Sequence, residues 1–244
     1  MSPAAAYGTA MHYALMKLFD KMMESKAKEF PSKTAFVNYF DKEMERQQIH
    51  FSQKEYRHRM QKGKAVLQNY YAQYTPVWHK NVKTELEIRN VEVNGVPIKG
   101  VIDRIDLLSD TSAHIEDYKT GSTDDKKLRK PTPKNELGGN YWRQLVFYKV
   151  LYESALPSLH SIKSGAIAYL EPDSQGKFTS KKINLSLEDA AFMKGLIKTT
   201  WTKIQNHEFS EGCGERNCVW CDFVKNNVTP KSFVEPEIEE LDDV

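Results

Sequence analysis

The sequence predicts an α/β protein, one mixed central β-sheet flanked by helices, and three observations carry that expectation. Apolar residues recur at helical spacing up to Tyr74, and the texture then turns to strands between Val82 and Lys119. Beyond that block come a helix, two further strands and a last helix, an order that lays helices against one mixed sheet. No internal repeat breaks the order, so residues 1–230 read as one domain and 231–244 as an acidic tail expected to be disordered.

The first helix is expected from about Thr9, with Thr9 as its cap and Met11, Leu15, Leu18, Phe19 and Met22 on its apolar side. A second follows around Thr34 to Arg46. A longer one covers Gln53 to Tyr74, apolar through Tyr56, Met60, Val66, Leu67, Tyr70 and Tyr71 and basic through Lys54, Arg57, Arg59, Lys62 and Lys64. Strands are expected at Val82–Glu92, Val96–Leu108 and His114–Lys119. Asn94-Gly95 supplies a two-residue hairpin turn, and Ser109 to Ser112 turns the second strand into the third. A basic loop, Lys126 to Pro131, precedes a helix from Tyr141 to Ser154. Strands at Gly165–Leu170 and Phe178–Leu185 come next. Ser186, with Asp189 three residues on, caps a helix running to Asn206.

Composition narrows the function without naming it. A chain of 244 residues with 40% hydrophobic and 28% charged residues can bury a real core. Net charge is only +2, so any nucleic-acid surface must come from the arrangement of charges. No membrane-length apolar run and no signal-peptide layout is present, which makes the cytoplasm the default expectation. Cys213, Cys218 and Cys221, an odd and clustered set, argue against a disulfide framework. Met1 to Ala6 leads almost directly into a helical pattern, so the chain reads as a piece of something longer.

The chemistry concentrates in Gly100-Val-Ile-Asp103-Arg-Ile-Asp106 and Ile115-Glu-Asp117-Tyr-Lys119-Thr-Gly121. Strand side chains alternate, so Asp117 and Lys119 project from one side. With Ser109 to Thr111 looped out, Asp103 falls opposite Asp117 on that same side. Opposed carboxylates repel unless a cation lies between them, and a hard divalent cation suits oxygen ligands. Phosphodiester cleavage needs such a cation and an activated water. Asp103 and Asp117 would hold Mg²⁺ or Mn²⁺, the carbonyl of Tyr118 would be a further ligand, and Lys119 would orient or help deprotonate the water. The bland alternative is a solvated pair of strand carboxylates neutralised by a lysine. By the same alternation Arg104 and Asp106 face the other way, as a structural ion pair.

Gly-x-x-Asp-Arg-x-Asp, then Asp-Tyr-Lys-Thr-Gly, then Gln144-Leu-Val-Phe-Tyr148 on a helix, closely resembles the RecB-type nuclease domains of the PD-(D/E)XK superfamily. The resemblance runs from Gly8 to Asp222. It implies a restriction-endonuclease-like fold, with Asp103 and Asp117 as metal carboxylates and Lys119 as the catalytic lysine. It implies that His12, following Gly8-Thr9, reaches the metal, and that Glu85 joins it, although Glu87 shares Glu85's parity. It makes Gln144 an active-site residue touching substrate or water on the metal; Tyr148, one turn on, either joins it or packs against the sheet.

Some relatives of this type hold an iron–sulfur cluster with one cysteine near the N-terminus and three near the C-terminus. Here no cysteine precedes His12, and Asn226 or Asn227 stands where a final one belongs. A cubane wants four thiolates. A metal-free turn packed by Trp220 and Phe223 is therefore expected, unless an upstream cysteine lies outside this sequence. For DNA phosphates the candidates are Lys126, Lys127, Arg129 and Lys130 in the loop, and Arg57 and Lys62 on the long helix; a solvated face is the alternative for each. The function expected is Mg²⁺- or Mn²⁺-dependent DNA cleavage in recombination and repair, as an exonuclease on single strands or ends. The chain would be the C-terminal nuclease domain of a helicase-linked protein or a free-standing nuclease. The competing readings are a catalytically silent DNA-binding module and a scaffold whose acidic tail recruits partners.

Overall fold

The computed structural model describes residues 1–121, 123–208, 212–213 and 218–227; the acidic tail expected at 231–244 lies outside them. The chain divides into two compact units, Met1–Leu196 and Ile197–Val244. Among the described residues, no helix is long and apolar enough to cross a membrane.

The first unit begins with α1 (Pro3–Glu24), which starts earlier than the sequence suggests. Ser2, not Thr9, caps it, accepting from the Ala5 N–H at 3.3 Å. Proline suits the first helical turn and alanine is the strongest helix former, so Pro3 and the alanine run extend the helix backwards. Thr9 sits inside it, its hydroxyl donating to the Ala5 carbonyl at 3.1 Å. α2 (Lys33–Arg46) is capped by Ser32. α3 (Gln53–Tyr74) opens on a capping box between Ser52 and Glu55. These three helices bury Met11, Leu15, Phe19, Phe36, Phe40 and Leu67 in one core that also takes in Tyr118, Ala168 and Phe178.

The sheet runs β1 (Val82–Val93), β2 (Val96–Leu107), β3 (Ser112–Lys119), β4 (Ser161–Tyr169) and β5 (Ser180–Asn184), side by side in that order. It is mixed, as predicted. Only β3 and β4 are parallel, and α4 (Asn140–Ala155) makes their crossover. Asn94 and Gly95 both have positive φ, 52° and 73°, the backbone of the tight turn expected there. β2 and β3 pair Arg104 with Glu116 and Leu107 with Ala113, the predicted register. Ser186 and Asp189 cap α5 (Leu187–Gln205) reciprocally, at 3.1 and 2.9 Å. α6 (Val219–Asn227) belongs to the second unit.

Alternation separates two kinds of charge on β2 and β3. Arg104 and Asp106 form the predicted ion pair through two hydrogen bonds, 2.7 and 3.1 Å, and Arg104 also reaches Glu116 at 3.1 Å. Arg104, 3% exposed, lies over the ring of Phe19. The other parity carries the candidate site.

Candidate active site

Three neighbouring strands set three carboxylates in a row. Thr84 pairs with Arg104 and Leu86 with Ile102, so Glu85 is level with Asp103; the β2–β3 register, continued by one pair, sets Asp103 level with Asp117. The β2–β3 ladder stops one step short of that row, and the Tyr118 N–H donates to Asp103 Oδ2 at 2.8 Å. Glu85 adopts φ 42°, a left-handed conformation inside a strand. A non-glycine residue held there costs on the order of 1–3 kcal/mol, and such strain gathers at functional sites. Glu87 is half exposed and pairs with Arg89, which separates it from Glu85.

α1 delivers His12 to this row. One ring nitrogen, Nε2, lies 3.0 Å from the Tyr118 carbonyl oxygen, and Nδ1 lies 3.4 Å from Asp103 Oδ2. Ligand atoms of His12, Glu85 and Asp103 all lie within 4.8 Å of one another. Asp117 is outside that closest group. It is 1% exposed, which rules out the solvated-carboxylate alternative for it. Gln144 Nε2 donates to Asp117 Oδ1 at 2.9 Å and to the Tyr148 hydroxyl oxygen at 2.8 Å, while that hydroxyl lies 3.5 Å from the same carboxylate oxygen. Gln144 is thus turned onto Asp117. The Lys119 ammonium touches the other oxygen of Asp117, Oδ2, as an ion pair.

The electrostatics follow from crowding. Burial, then the charge of Asp103, pushes Glu85 up to about 7. Burial and Asp103 also push Asp117 up, against Lys119 and His12. Burial works against a charged His12, but the hydrogen bond and charge of Asp103, with Asp117 and Glu85, leave its proton held more tightly than usual. Burial and the two aspartates raise Tyr148, which keeps its proton. Such a cluster of carboxylate oxygens with one imidazole, in acidic excess, fits a hard divalent cation such as Mg²⁺ or Mn²⁺.

Tyr141 was visible in the sequence only as a neighbour of Gln144, three residues away and so on the same side of α4. Its ring stands 5.5 Å from Lys119 Nζ and 5.1 Å from Lys127 Nζ. The basic loop containing Lys127 is held against the start of α4. The Gly139 N–H donates to the Arg129 carbonyl at 2.8 Å, and a Cβ on Gly139 would come within 2.2 Å of the Lys127 carbonyl oxygen. Only glycine permits that approach. A 3₁₀ turn, Asp125–Leu128, replaces the plain loop expected there. Lys126 and Arg129 are exposed. Lys130 is paired with Asp189 at 2.8 Å and Lys62 with Glu171 at 2.8 Å, so each of these two phosphate-contact candidates already has a carboxylate partner; Arg57 is exposed on α3.

In the second unit, Trp220 is 78% and Phe223 57% exposed. The expectation that they pack the cysteine turn is therefore wrong.

No curated protein matches the chain. Among solved structures, it resembles a provisionally assigned exonuclease from Eubacterium rectale, at 13% identity and TM-score 0.47 over 78% of this chain and 70% of the other. It also resembles the protein SSO0001, at 18% identity and TM-score 0.35 over 76% of this chain and 84% of that one. Likeness at this level carries no argument about activity. The family model is decisive: the PD-(D/E)XK nuclease superfamily matches residues 1–225. With its mixed sheet and flanking helices, the chain belongs to the PD-(D/E)XK nuclease superfamily.

Proposed function

We propose that this chain hydrolyses DNA phosphodiester bonds with Mg²⁺ or Mn²⁺, as an exonuclease on single strands or ends, in recombination or repair and in partnership with a helicase motor. The observation that carries the cleavage reading is the row Glu85, Asp103, Asp117, with His12 and Lys119 converging on it in a buried setting. His12, Glu85 and Asp103 would hold the ion, with Asp117 beside them and the Tyr118 carbonyl as a further donor. When bound, the ion supplies positive charge to phosphate oxygens and acidity to water.

The chain's own groups do the rest. Lys119 orients the attacking water and places a positive charge where charge grows on the phosphate. Gln144 and Tyr148 hold Asp117 Oδ1 in place, and are positioning residues in this reading. Lys126, Lys127 and Arg129, on the loop stitched to α4, meet phosphates next to Lys119 and Tyr141. Lys130 and Lys62 contribute only by exchanging their carboxylate partners for phosphate, and Arg57 adds charge along α3. Backbone contacts of this kind bind DNA without reading its sequence, as end trimming requires.

The test is incubation of end-labelled linear single-stranded DNA with Mn²⁺. Wild-type protein is expected to shorten it and Lys119→Ala to leave it intact. Absence of wild-type cleavage, or equal cleavage by the variant, rejects the reading.

A further inference from the structure

Cys213, Cys218 and Cys221 form a second donor cluster, wholly within the second unit and chemically unlike the acidic row. Their sulfur atoms all lie within 4.8 Å of one another. Cys213 Sγ is 3.3 Å from Cys221 Sγ, and the Cys213 N–H donates to Cys221 Sγ at 3.1 Å. Cys218 immediately precedes α6, whose first-turn N–H groups lack helical partners. Cys221 lies three residues on, in the first turn of α6, and its side chain is buried. A Cβ on Gly212 would come within 2.8 Å of Cys221 Sγ, so the glycine lets the segment before α6 close onto it.

This arrangement does not fit an iron–sulfur cluster. A cluster takes four cysteines and seats them on different irons, which spreads their sulfurs apart. Here three sulfurs crowd together, and no fourth ligating side chain joins the group among the described residues. A single tetrahedral zinc ion, with Zn–S near 2.3 Å, brings its sulfurs to about 3.8 Å from one another. Cys213 and Cys221 sulfurs at 3.3 Å, with all three within 4.8 Å, bracket that distance, and thiolates select zinc over the hard ions suited to the carboxylate row.

We propose that Cys213, Cys218 and Cys221 bind one Zn²⁺ ion, with its fourth position filled by water or a donor from outside this group. Three S–H protons leave to solvent as three Zn–S bonds form, and no electron is transferred. The Cys213 amide, already directed at Cys221 Sγ, stabilises its thiolate form once the metal is bound. The ion staples the segment before α6 to the first turn of that helix.

The experiment uses the whole chain, purified reduced and without chelator, with zinc, iron and acid-labile sulfide measured on the same sample. About one zinc per chain, with iron and sulfide near background, is expected. Replacing zinc by Co²⁺ should give thiolate-to-cobalt charge-transfer absorption and tetrahedral visible bands. Cys218→Ser should weaken zinc binding by more than about tenfold, whereas Cys218→His, which restores a zinc donor, should recover it. Asp103→Asn should leave zinc content unchanged, separating this site from the acidic one. Stoichiometric iron with sulfide, a Cys213–Cys221 disulfide in the unreduced protein, or full zinc retention by Cys218→Ser overturns the proposal.

Discussion

The two faces of β2 and β3 carry nearly the same residue types to opposite ends. On one, Arg104, Asp106, Glu116 and His114 interlock: Arg104 satisfies both carboxylates, and His114 lies 3.4 Å from Glu116 and 2.8 Å from Ser164. On the other, Glu85, Asp103 and Asp117 crowd together with Lys119 and His12. Burial alone would push Glu116 up, yet Arg104 and His114 hold it below the usual range. Glu85, with Asp103 as its neighbour, is pushed up to about 7. Buried charge that is neutralised in place is architecture. Buried charge left in acidic excess is a place prepared for a cation.

The largest effect should come from breaking the balanced face. Arg104→Ala leaves Asp106 and Glu116 buried without their partner and should cost about 3–5 kcal/mol of stability, read by denaturant unfolding. A loss below ~1 kcal/mol would erase the distinction between the faces. Lys119→Ala on the other face should lower cleavage by about 10²–10³-fold, equivalent to ~2.7–4 kcal/mol of transition-state stabilisation, in single-turnover assays at saturating Mn²⁺. If cleavage is absent altogether while DNA still binds, the silent-module reading takes over; a Mn²⁺ titration by calorimetry then shows no site that Asp103→Asn removes.

A smaller effect sharpens the comparison through pH. In the metal-free protein, Glu85 and His12 bind protons more tightly folded than unfolded, from the ordinary 4.5 up to about 7 for Glu85 and upward from 6.5 for His12. The folded chain therefore carries more protons across that window, and its stability should fall as pH rises through it. Melting should occur at a higher temperature at pH 6 than at pH 8. Saturating Mn²⁺ should remove or reverse the trend, because the ion favours the deprotonated groups. A metal-free protein that melts higher at pH 8 would contradict the acidic-excess account.

The smallest expected change is a gain. Glu85→Asn removes one of three crowded carboxylates and places at φ 42° a residue that tolerates the left-handed region. It should stabilise the metal-free protein by ~1 kcal/mol, roughly 2–4 °C in Tm, while weakening Mn²⁺ binding. Equal or lower stability would mean that the strain at Glu85 is offset elsewhere.

The alternation and turn chemistry of residues 94–119 were enough to place Asp103 level with Asp117 and to turn Arg104 and Asp106 away, since a strand's period of two and a short turn act between near neighbours in sequence. Ser186 and Asp189, and the box at Ser52 and Glu55, were likewise local in cause. Other features depend on segments far apart in the chain. Which His12 nitrogen meets Asp103, and that Gln144 grips Asp117, follow from how α1 and α4 lie on the sheet. No local rule puts a glutamate at the positive φ of Glu85. Lys62 and Lys130 found carboxylates about a hundred and about sixty residues away, distances that residue patterns do not encode. The start of α1 went the other way, a local signal at Ser2 and Pro3 outvoted by a motif at Gly8-Thr9. Periodicity decides which residues share a face because it is a property of the backbone; the partners those residues meet are decided by long-range packing, where burial makes each unpaired charge costly.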